Sequence, residues 1–452
     1  MAIGDNGNLL PAEVFRSRVP FRASDPTRKA FFWLAAFFVV YCGRPEDYIP
    51  GPVKYLPFGK ITAIMALYGL FTAMGKTKRS FKDLPKESRI LLGMLGLLFV
   101  GAFFSPVWRG GAIVRTIDFC KIYVVWVLIF LIINSFERLR KIIFVQVICV
   151  VAVCVIAIVR GHNVPRLEGV LGGFYFNPND LAFAIVLSLP FALAFLVTAK
   201  NAFVKVFWLG GMLTMAATIF LTASRAGFID LVISFSVALY YFAIKGKRFY
   251  LIVATIFIGV LVMATAGGKL FDRFAALSGN STTGDASAYG SYEERKYLMS
   301  LAIQTIEHYP VFGIGTRNFP SYSGIWRAVH MTYLQIAAEG GIPVLVLYLM
   351  FFWRGFANLR ALHKKKNLDP DVVLFIGALQ STMVGFVVGA LFAPEAYQFF
   401  PYFAVAFTAA LLQTVKEQEQ EPGSALPAPK KPRHFLEVYA DRETTGAVFP
   451  VR

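Results

Sequence analysis

The sequence has few charged residues and few cysteines for its length. Only 16% of its 452 residues are Asp, Glu, Lys or Arg, against roughly 25% in soluble domains, whereas 57% are hydrophobic. This composition excludes a soluble globular protein. The four cysteines lie in apolar segments without a CxxC pair or a Cys/His cluster, so we expect buried side chains rather than disulfides or zinc ligands. A cleavable signal peptide is also lacking, and we expect the first span to direct insertion.

Long apolar runs alternate with short polar segments along most of the chain. A membrane-spanning helix needs about 20 predominantly apolar residues, and twelve runs approach or reach that length. We predict an all-α polytopic membrane protein with about twelve transmembrane helices. The predicted spans are 30–42, 57–74, 90–105, 112–134, 142–159, 181–198, 206–222, 227–243, 250–266, 331–351, 372–391 and 400–411.

The basic residues alternate in number from one loop to the next. With the N-terminus placed in the cytoplasm, the inside segments hold 30 Lys and Arg and the outside loops 12, six of which lie in one 63-residue loop. Charges in so long a loop have little influence on topology. We therefore predict that both termini are cytoplasmic, and that the net charge of +18 reflects topology rather than nucleic-acid binding.

These patterns divide the chain into five parts. We predict a cytoplasmic N-terminal arm at 1–29, transmembrane helices 1–9 within 30–266, and a large outside loop at 267–329. Transmembrane helices 10–12 follow within 330–415, and the polar, Pro-rich segment 416–452 is predicted to be a disordered cytoplasmic tail.

The large outside loop contains a predicted amphipathic helix. Ser291 and Glu294 have the spacing of a capping box, and Pro310 is expected to end the helix. An apolar stripe at i, i+3, i+4 and i+7 would pack this helix on the bundle or the membrane surface. The stripe consists of Leu298, Leu301, Ala302 and Thr305.

Several arginines lie on the predicted outside face. Arg160 and Arg166 precede the sixth span, and Arg225 occupies a very short turn between the seventh and eighth. A guanidinium group has five donors that match phosphate oxygens, so the three are candidates for binding a phosphate-bearing lipid. An ion pair between Arg225 and Asp230 is the structural alternative. Gly-rich residues beside Arg317 would let backbone amides approach an anion.

Polar residues at the start of the tenth span are further candidates. His330 precedes the tenth span, where an imidazole is either a structural interfacial residue or a catalytic one. On a continuous helix Tyr333 would share the face of His330, and Glu339 would lie opposite.

Three charged residues lie inside the fourth span. Arg115, Asp118 and Lys121 have i, i+3 and i+6 spacing, which favours ion pairs along one helix flank. Because charged residues within spans usually face a protein interior or a water-filled cavity, a functional role stays open.

Four motifs resemble the O-antigen ligase and O-antigen polymerase superfamily. Their order and spacing agree with a twelve-span member that has its large loop before the tenth span. A weaker likeness, in GRPEDYIPG, is to members of exopolysaccharide systems. The four motifs are FNPNDLAF at 176–183, TASRAGF at 222–228, PVFGIGTRNF at 310–319 and HMTYLQIAAEGG at 330–341.

The resemblance implies a GT-C-type, inverting glycosyltransferase of the bacterial inner membrane with a periplasmic active site. Such an enzyme moves a glycan from undecaprenyl pyrophosphate to a glycan, lipid A core or protein acceptor, with neither a metal ion nor a cofactor. Arg166 and Arg225 would bind the pyrophosphate, and His330 would orient or deprotonate the acceptor hydroxyl. The further substrate-binding candidates are Arg317, Tyr333, Arg160, Asn177, Asn179 and Asp180, the last three also being candidate caps of the sixth helix.

Three alternatives remain at this point. A ligase and a polymerase share donor chemistry and differ in the acceptor. A secondary transporter can also have twelve spans, but we find no internal repeat, and the polar candidates cluster at one membrane face. A noncatalytic scaffold for envelope assembly would tolerate substitution of both Arg225 and His330.

Overall fold

The structure is a computed structural model of the chain. It describes residues 25–48, 56–77, 79–161, 166–169, 175, 177–268, 270–271 and 286–420. Thirteen helices of 15 residues or more make up most of this part of the chain. They are α1 (Arg28–Gly43), α2 (Phe58–Ala73), α3 (Lys86–Phe103), α4 (Arg109–Ile132), α5 (Phe136–Arg160), α6 (Pro178–Thr198), α7 (Ala202–Thr222), α8 (Arg225–Leu239), α9 (Tyr250–Ala266), α10 (Ala286–His308), α11 (Thr332–His363), α12 (Pro370–Gly389) and α13 (Phe399–Gln420).

Each of the twelve predicted spans coincides with one of these helices, which confirms the all-α fold class. Seven helices within the described ranges are long and apolar enough to cross a membrane: α5, α6, α7, α8 with its extension to Ile244, α11, α12 and α13. Two shorter apolar helices are α2 and α9. The protein is therefore a polytopic helical membrane protein, and twelve as the number of spans stays a prediction.

The helices differ in how much of their surface is buried. In α6 every residue from 181 to 195 is buried, and in α13 the same holds from 400 to 412, so these helices lie at the centre of the bundle. In α9, by contrast, Val253 and Phe257 are each 70% exposed. A large exposed apolar surface is what a lipid-facing helix presents.

Helix α11 is broken at Gly341. Gly341 has φ 83° and ψ 171°, and Pro343 follows without an amide hydrogen, so the carbonyl groups of Ala338 and Glu339 lose their partners within the helix. The loop before α11 replaces those partners: the amides of Ile314 and Gly315 donate to these two carbonyl groups, each over 2.9 Å. The break therefore attaches the Gly-rich loop to the helix.

This attachment corrects the role expected for the glycines beside Arg317. A Cβ atom at Gly313 would come within 2.5 Å of the Glu339 backbone, and Gly313 has φ 62°. The glycines allow the loop to approach α11 closely. Because the amides of Ile314 and Gly315 already donate to α11, they are not free to bind an anion.

The amphipathic helix of the large loop is α10. It ends at His308, close to the expected end, but it begins at Ala286, so Ser291 lies within the helix. The predicted capping box is wrong, because the small residues before Ser291 continue the helix. Leu298 and Ala302 of the predicted stripe are fully buried and form a small core with Ile314 and Phe319.

One end of the bundle carries the residues singled out in the sequence, and we call it the site end. Helices α6, α8, α11 and α13 begin there, while α5, α7 and α12 end there. A short connection, residues 390–398, joins α12 to α13 across this end. It is held by Thr332, which donates through its amide to the Ala390 carbonyl over 2.8 Å and through its hydroxyl to the Ala393 carbonyl over 2.6 Å.

The segments at both ends of the chain extend beyond the described residues. Residues 1–24 of the predicted N-terminal arm and 421–452 of the predicted tail lie outside them. Helix α13 itself continues to Gln420, a few residues into the segment predicted as tail.

Candidate functional site

The start of α6 shows the predicted cap and one further role. The Asn177 side chain accepts from the Asn179 amide over 3.0 Å, so Asn177 is the N-cap and Pro178 occupies the first helical position. The side-chain oxygen Oδ1 of Asn179 instead faces the turn between α7 and α8. The capping prediction is confirmed for Asn177, while Asn179 links separate elements.

Asn179 holds Arg166 and Ser224 together. Its Oδ1 accepts from the Arg166 guanidinium over 3.3 Å and from the Ser224 hydroxyl over 2.7 Å. Arg166 also donates through Nε to the Thr222 carbonyl at the end of α7, over 3.1 Å. These hydrogen bonds fix Arg166, which lies in the loop before α6, against the turn that contains Arg225.

Arg225 is the first residue of α8, directly after its N-cap. Ser224 caps the helix by accepting from the Gly227 amide over 3.1 Å, while Ala223 takes the left-handed conformation with φ 49°. The start of a helix carries a partial positive charge and unpaired amides, which favour an anion. The structure thus brings Arg166, Asn179 and the Arg225 turn together.

The alternative in which Arg225 pairs with Asp230 is not realised. Asp230 is buried, and neither of its carboxyl oxygens has a hydrogen-bond partner among the described residues. Arg160 contacts another part of the chain. It ends α5, is exposed, and places its guanidinium 5.5 Å from the Tyr48 ring in the GRPEDYIPG segment.

His330 lies two residues before α11 and is partly buried. The expectation that Tyr333 shares its helical face is wrong, because the helix begins only at Thr332. Burial, reinforced by the charges of Arg295 and Arg327, lowers the pKa of His330 to about 4. Its imidazole is therefore neutral at pH 7.

The 390–398 connection joins the His330 region to the start of α6. The Glu395 amide donates to the Thr332 hydroxyl over 3.0 Å, and the Glu395 carboxyl group lies next to that of Asp180. Burial, followed by the nearby Asp180 carboxyl group, raises the pKa of Glu395 well above its usual range. The raised pKa favours the neutral form of Glu395, which reduces the repulsion between the two neighbouring carboxyl groups.

Arg317 contacts Tyr397 of this connection, and Tyr333 contacts the end of α12 just before it. Arg317 has φ 53° and stacks its guanidinium 5.4 Å above the Tyr397 ring. The Tyr333 hydroxyl donates to the Val387 carbonyl of α12 over 2.8 Å, which gives it a packing role between two helices.

Arg115 makes a contact that local spacing did not predict. Asp118 and Lys121 form the expected ion pair within α4. Arg115 instead donates to the Arg317 carbonyl and, over 3.0 Å, to Oδ1 of Asn318. The expected ion pairing is thus only partly realised, because Arg115 reaches a loop about 200 residues away in the sequence.

Within the described ranges, no three His, Cys, Asp or Glu side chains form a group that could hold a metal ion. Sequence reasoning did not assign four polar residues of this region to a site: Gln335, Glu339, Glu395 and Tyr397. The only sequence signal for them was that Gln335 and Glu339 are polar residues within the apolar run after His330.

Comparison with known proteins agrees with the motifs. Residues 210–349 match a family model described as O-antigen ligase. The matched segment is about a third of the chain, and it contains Arg225, Arg317, His330 and Tyr333 but not Arg166. No curated protein matches the chain. For residues 210–349, the match confirms the resemblance to the O-antigen ligase and polymerase superfamily that the motifs indicate.

Proposed function

We propose that the protein transfers a glycan from undecaprenyl pyrophosphate to an acceptor hydroxyl at the periplasmic face of the bacterial inner membrane. The observation that carries this proposal is the network in which Asn179 and Thr222 hold Arg166 against the start of α8, beside Arg225. Two guanidinium groups near one helix start suit a diphosphate group.

An apolar groove next to this network supports a lipid-linked donor. The groove has a volume of about 330 Å³ and lies between α7, α8 and α9. Its lining includes Phe220 and Phe228, which lie within five residues of Arg225 in the sequence. A polyprenyl chain in this groove would place its diphosphate group at the arginines.

The reaction would proceed by direct displacement. The acceptor oxygen attacks the anomeric carbon while the bond from that carbon to the pyrophosphate oxygen breaks, and the bonding electrons leave with the undecaprenyl pyrophosphate. His330 accepts the proton of the acceptor hydroxyl, since its imidazole is neutral at pH 7. Arg166 and Arg225 stabilise the charge that develops on the leaving group, and the configuration at the anomeric carbon inverts.

Conservative substitution of Arg225 tests the proposal. In nanodiscs supplied with a lipid-pyrophosphate-linked glycan, Arg225→Lys should lower kcat/KM for the donor by roughly tenfold or more, since an ammonium group keeps the charge but loses the bidentate fork. Arg109→Lys, at an exposed position at the start of α4, is the matched control and should transfer like the unmodified protein. Full transfer by Arg225→Lys at equal protein level would contradict the proposal.

A ligase and a polymerase differ in the acceptor they use. Loss of a polymerase leaves single unpolymerised repeats on the lipid carrier, whereas loss of a ligase leaves long chains that are not attached. Gel analysis of surface glycans and lipid-linked intermediates in a deletion strain separates the two.

A further inference from the structure

A second polar cavity lies at the site end, at the part of the 390–398 connection that includes Pro394 and Tyr397. Its volume is about 420 Å³. The lining that matters here consists of Arg115, Arg317, Gln335, Glu339 and Tyr397. Asn179, Ser224 and Asp230 line a separate small pocket.

Three buried polar atoms of the cavity residues have no hydrogen-bond partner within the described part of the chain. They are Oε1 of Gln335, Oε2 of Glu339 and the hydroxyl of Tyr397. These residues are only 5%, 1% and 7% exposed. Buried polar groups in folded proteins are nearly always hydrogen-bonded, so three unsatisfied ones around one cavity indicate a ligand that supplies their partners.

The unsatisfied groups are held in place by neighbouring elements. Oε1 of Glu339 accepts from the Phe319 amide over 3.2 Å, which fixes the carboxyl group and leaves Oε2 unsatisfied. Gln335 lies one helical turn earlier, so both side chains project from the same face of α11. The Tyr397 hydroxyl adjoins Glu339 without reaching hydrogen-bond geometry.

The two arginines add an anion site at the same cavity. Arg115 makes its hydrogen bonds through one guanidinium nitrogen, to the Arg317 carbonyl and to Asn318. Arg317 is exposed, and among the described residues its guanidinium donates to the Tyr397 carbonyl over 3.5 Å and stacks on the ring of Tyr397. Both guanidinium groups therefore have donors left for a carboxylate.

We propose that this cavity binds an acidic sugar residue of the acceptor glycan, a proposal that rests on the glycan transfer proposed above. A diphosphate group only accepts hydrogen bonds, so it cannot satisfy the oxygens of Gln335 and Glu339. Sugar hydroxyls donate to both oxygens, and a uronic carboxylate fits the arginine pair. The aromatic ring of Tyr397 adds an apolar surface for the sugar.

Direct binding tests the cavity without any donor. Saturation-transfer NMR on the full protein in nanodiscs uses glucuronate, glucose and inorganic phosphate as probes. We expect glucuronate to bind more tightly than glucose. Gln335→Met, which removes the acceptor at similar volume, should weaken glucuronate binding at least about tenfold, equivalent to 1.4 kcal/mol.

The matched control is Gln146→Met in α5. Gln146 is also buried, and its Oε1 also lacks a partner, but it does not line the cavity. This control should bind glucuronate like the unmodified protein. Gln335→Met should in addition leave thermal stability unchanged or raise it, because it removes an unsatisfied group.

Three results would overturn the inference. One is glucuronate binding that Gln335→Met and Glu339→Gln leave unchanged. Another is equal affinity for glucose and glucuronate, which would remove the acidic specificity. The third is a combination of two observations: phosphate displaces glucuronate completely, and glucose does not bind at all. The cavity would then be a general anion site and not a sugar site.

Kinetics separate this inference from the proposed function. In a working transfer assay Gln335→Met should raise KM for the acceptor while KM for the donor stays constant. If no transfer occurs but glucuronate binding depends on Gln335, the sugar site stands and glycan transfer fails. If transfer occurs and cavity variants leave the acceptor KM unchanged, transfer stands and the sugar site fails.

Discussion

The pKa of His330 offers a quantitative test of its role as a base. A shift from the ordinary 6.5 to about 4 corresponds to roughly 3 kcal/mol in favour of the neutral imidazole. Since kcat/KM reports ionisation of the free enzyme, its acid limb should lie near pH 4 to 5 instead of near 6.5. The same shift contributes stability that is complete above pH 6.5 and is lost as the pH falls toward 4.

Arg327→Gln separates the two causes of this shift. Burial is the larger cause, and the Arg327 side chain is 65% exposed and paired with Glu294 over 3.2 Å. Solvent screens such a charge, so we expect the substitution to raise the acid limb by only about half a pH unit. The limb should stay well below 6.5 because the burial of His330 is unchanged.

The assay combines pH profiles of kcat/KM with NMR titration of the imidazole carbons. The chain has only five histidines, and His330→Gln identifies the relevant signal by its disappearance. A wild-type limb at pH 6.5 or above would refute the burial argument. A limb that moves down in Arg327→Gln would refute the electrostatic contribution.

Two further substitutions test the scaffold around the site. Asn179→Ala removes the shared acceptor of Arg166, which should reduce kcat/KM for the donor about tenfold in the nanodisc assay while the helix content by circular dichroism stays constant. Gly341→Ala should destabilise the protein by more than about 2 kcal/mol, since its φ is 83° and a Cβ would lie 2.1 Å from the Val311 carbonyl oxygen. Gly96→Ala, with no atom within 4 Å of its Cβ, is the control and should leave the thermal midpoint unchanged or higher, so an equal loss in both variants would contradict the reasoning.

Hydropathy predicted the positions of the membrane helices because burial in lipid requires long apolar segments, whatever their tertiary contacts. The break at Gly341 was not predicted, since apolar residues continue through it. Its geometry depends on amides of Ile314 and Gly315 that arrive from a distant loop. A separate error concerned the start of this helix: α11 begins only at Thr332, so helical periodicity counted from His330 misplaced it relative to Tyr333.

The candidate site shows the same limit. Residue type and chain position made Arg166 and Arg225 candidates, and the structure places Arg166 against the turn that contains Arg225. Arg115 was expected to pair with Asp118, its neighbour in the helix, yet it contacts Arg317. The placement of Gln335 and Glu339 at a cavity could not be predicted from sequence. The cavity is lined by residues from separate elements, which come together only in the folded protein.

The 390–398 connection links the two polar sites that we propose for the donor and the acceptor. Glu395 contacts Asp180 near the Arg166 network, while Tyr397, two residues later, lines the second cavity. A displacement with inversion needs the attacking oxygen and the leaving group on opposite sides of the anomeric carbon. A donor diphosphate held at Arg166 and an acceptor sugar held beside Tyr397 would approach that carbon from two sides, with His330 adjoining the connection through Thr332. The two proposals are therefore compatible in one reaction, and each is tested by a separate measurement.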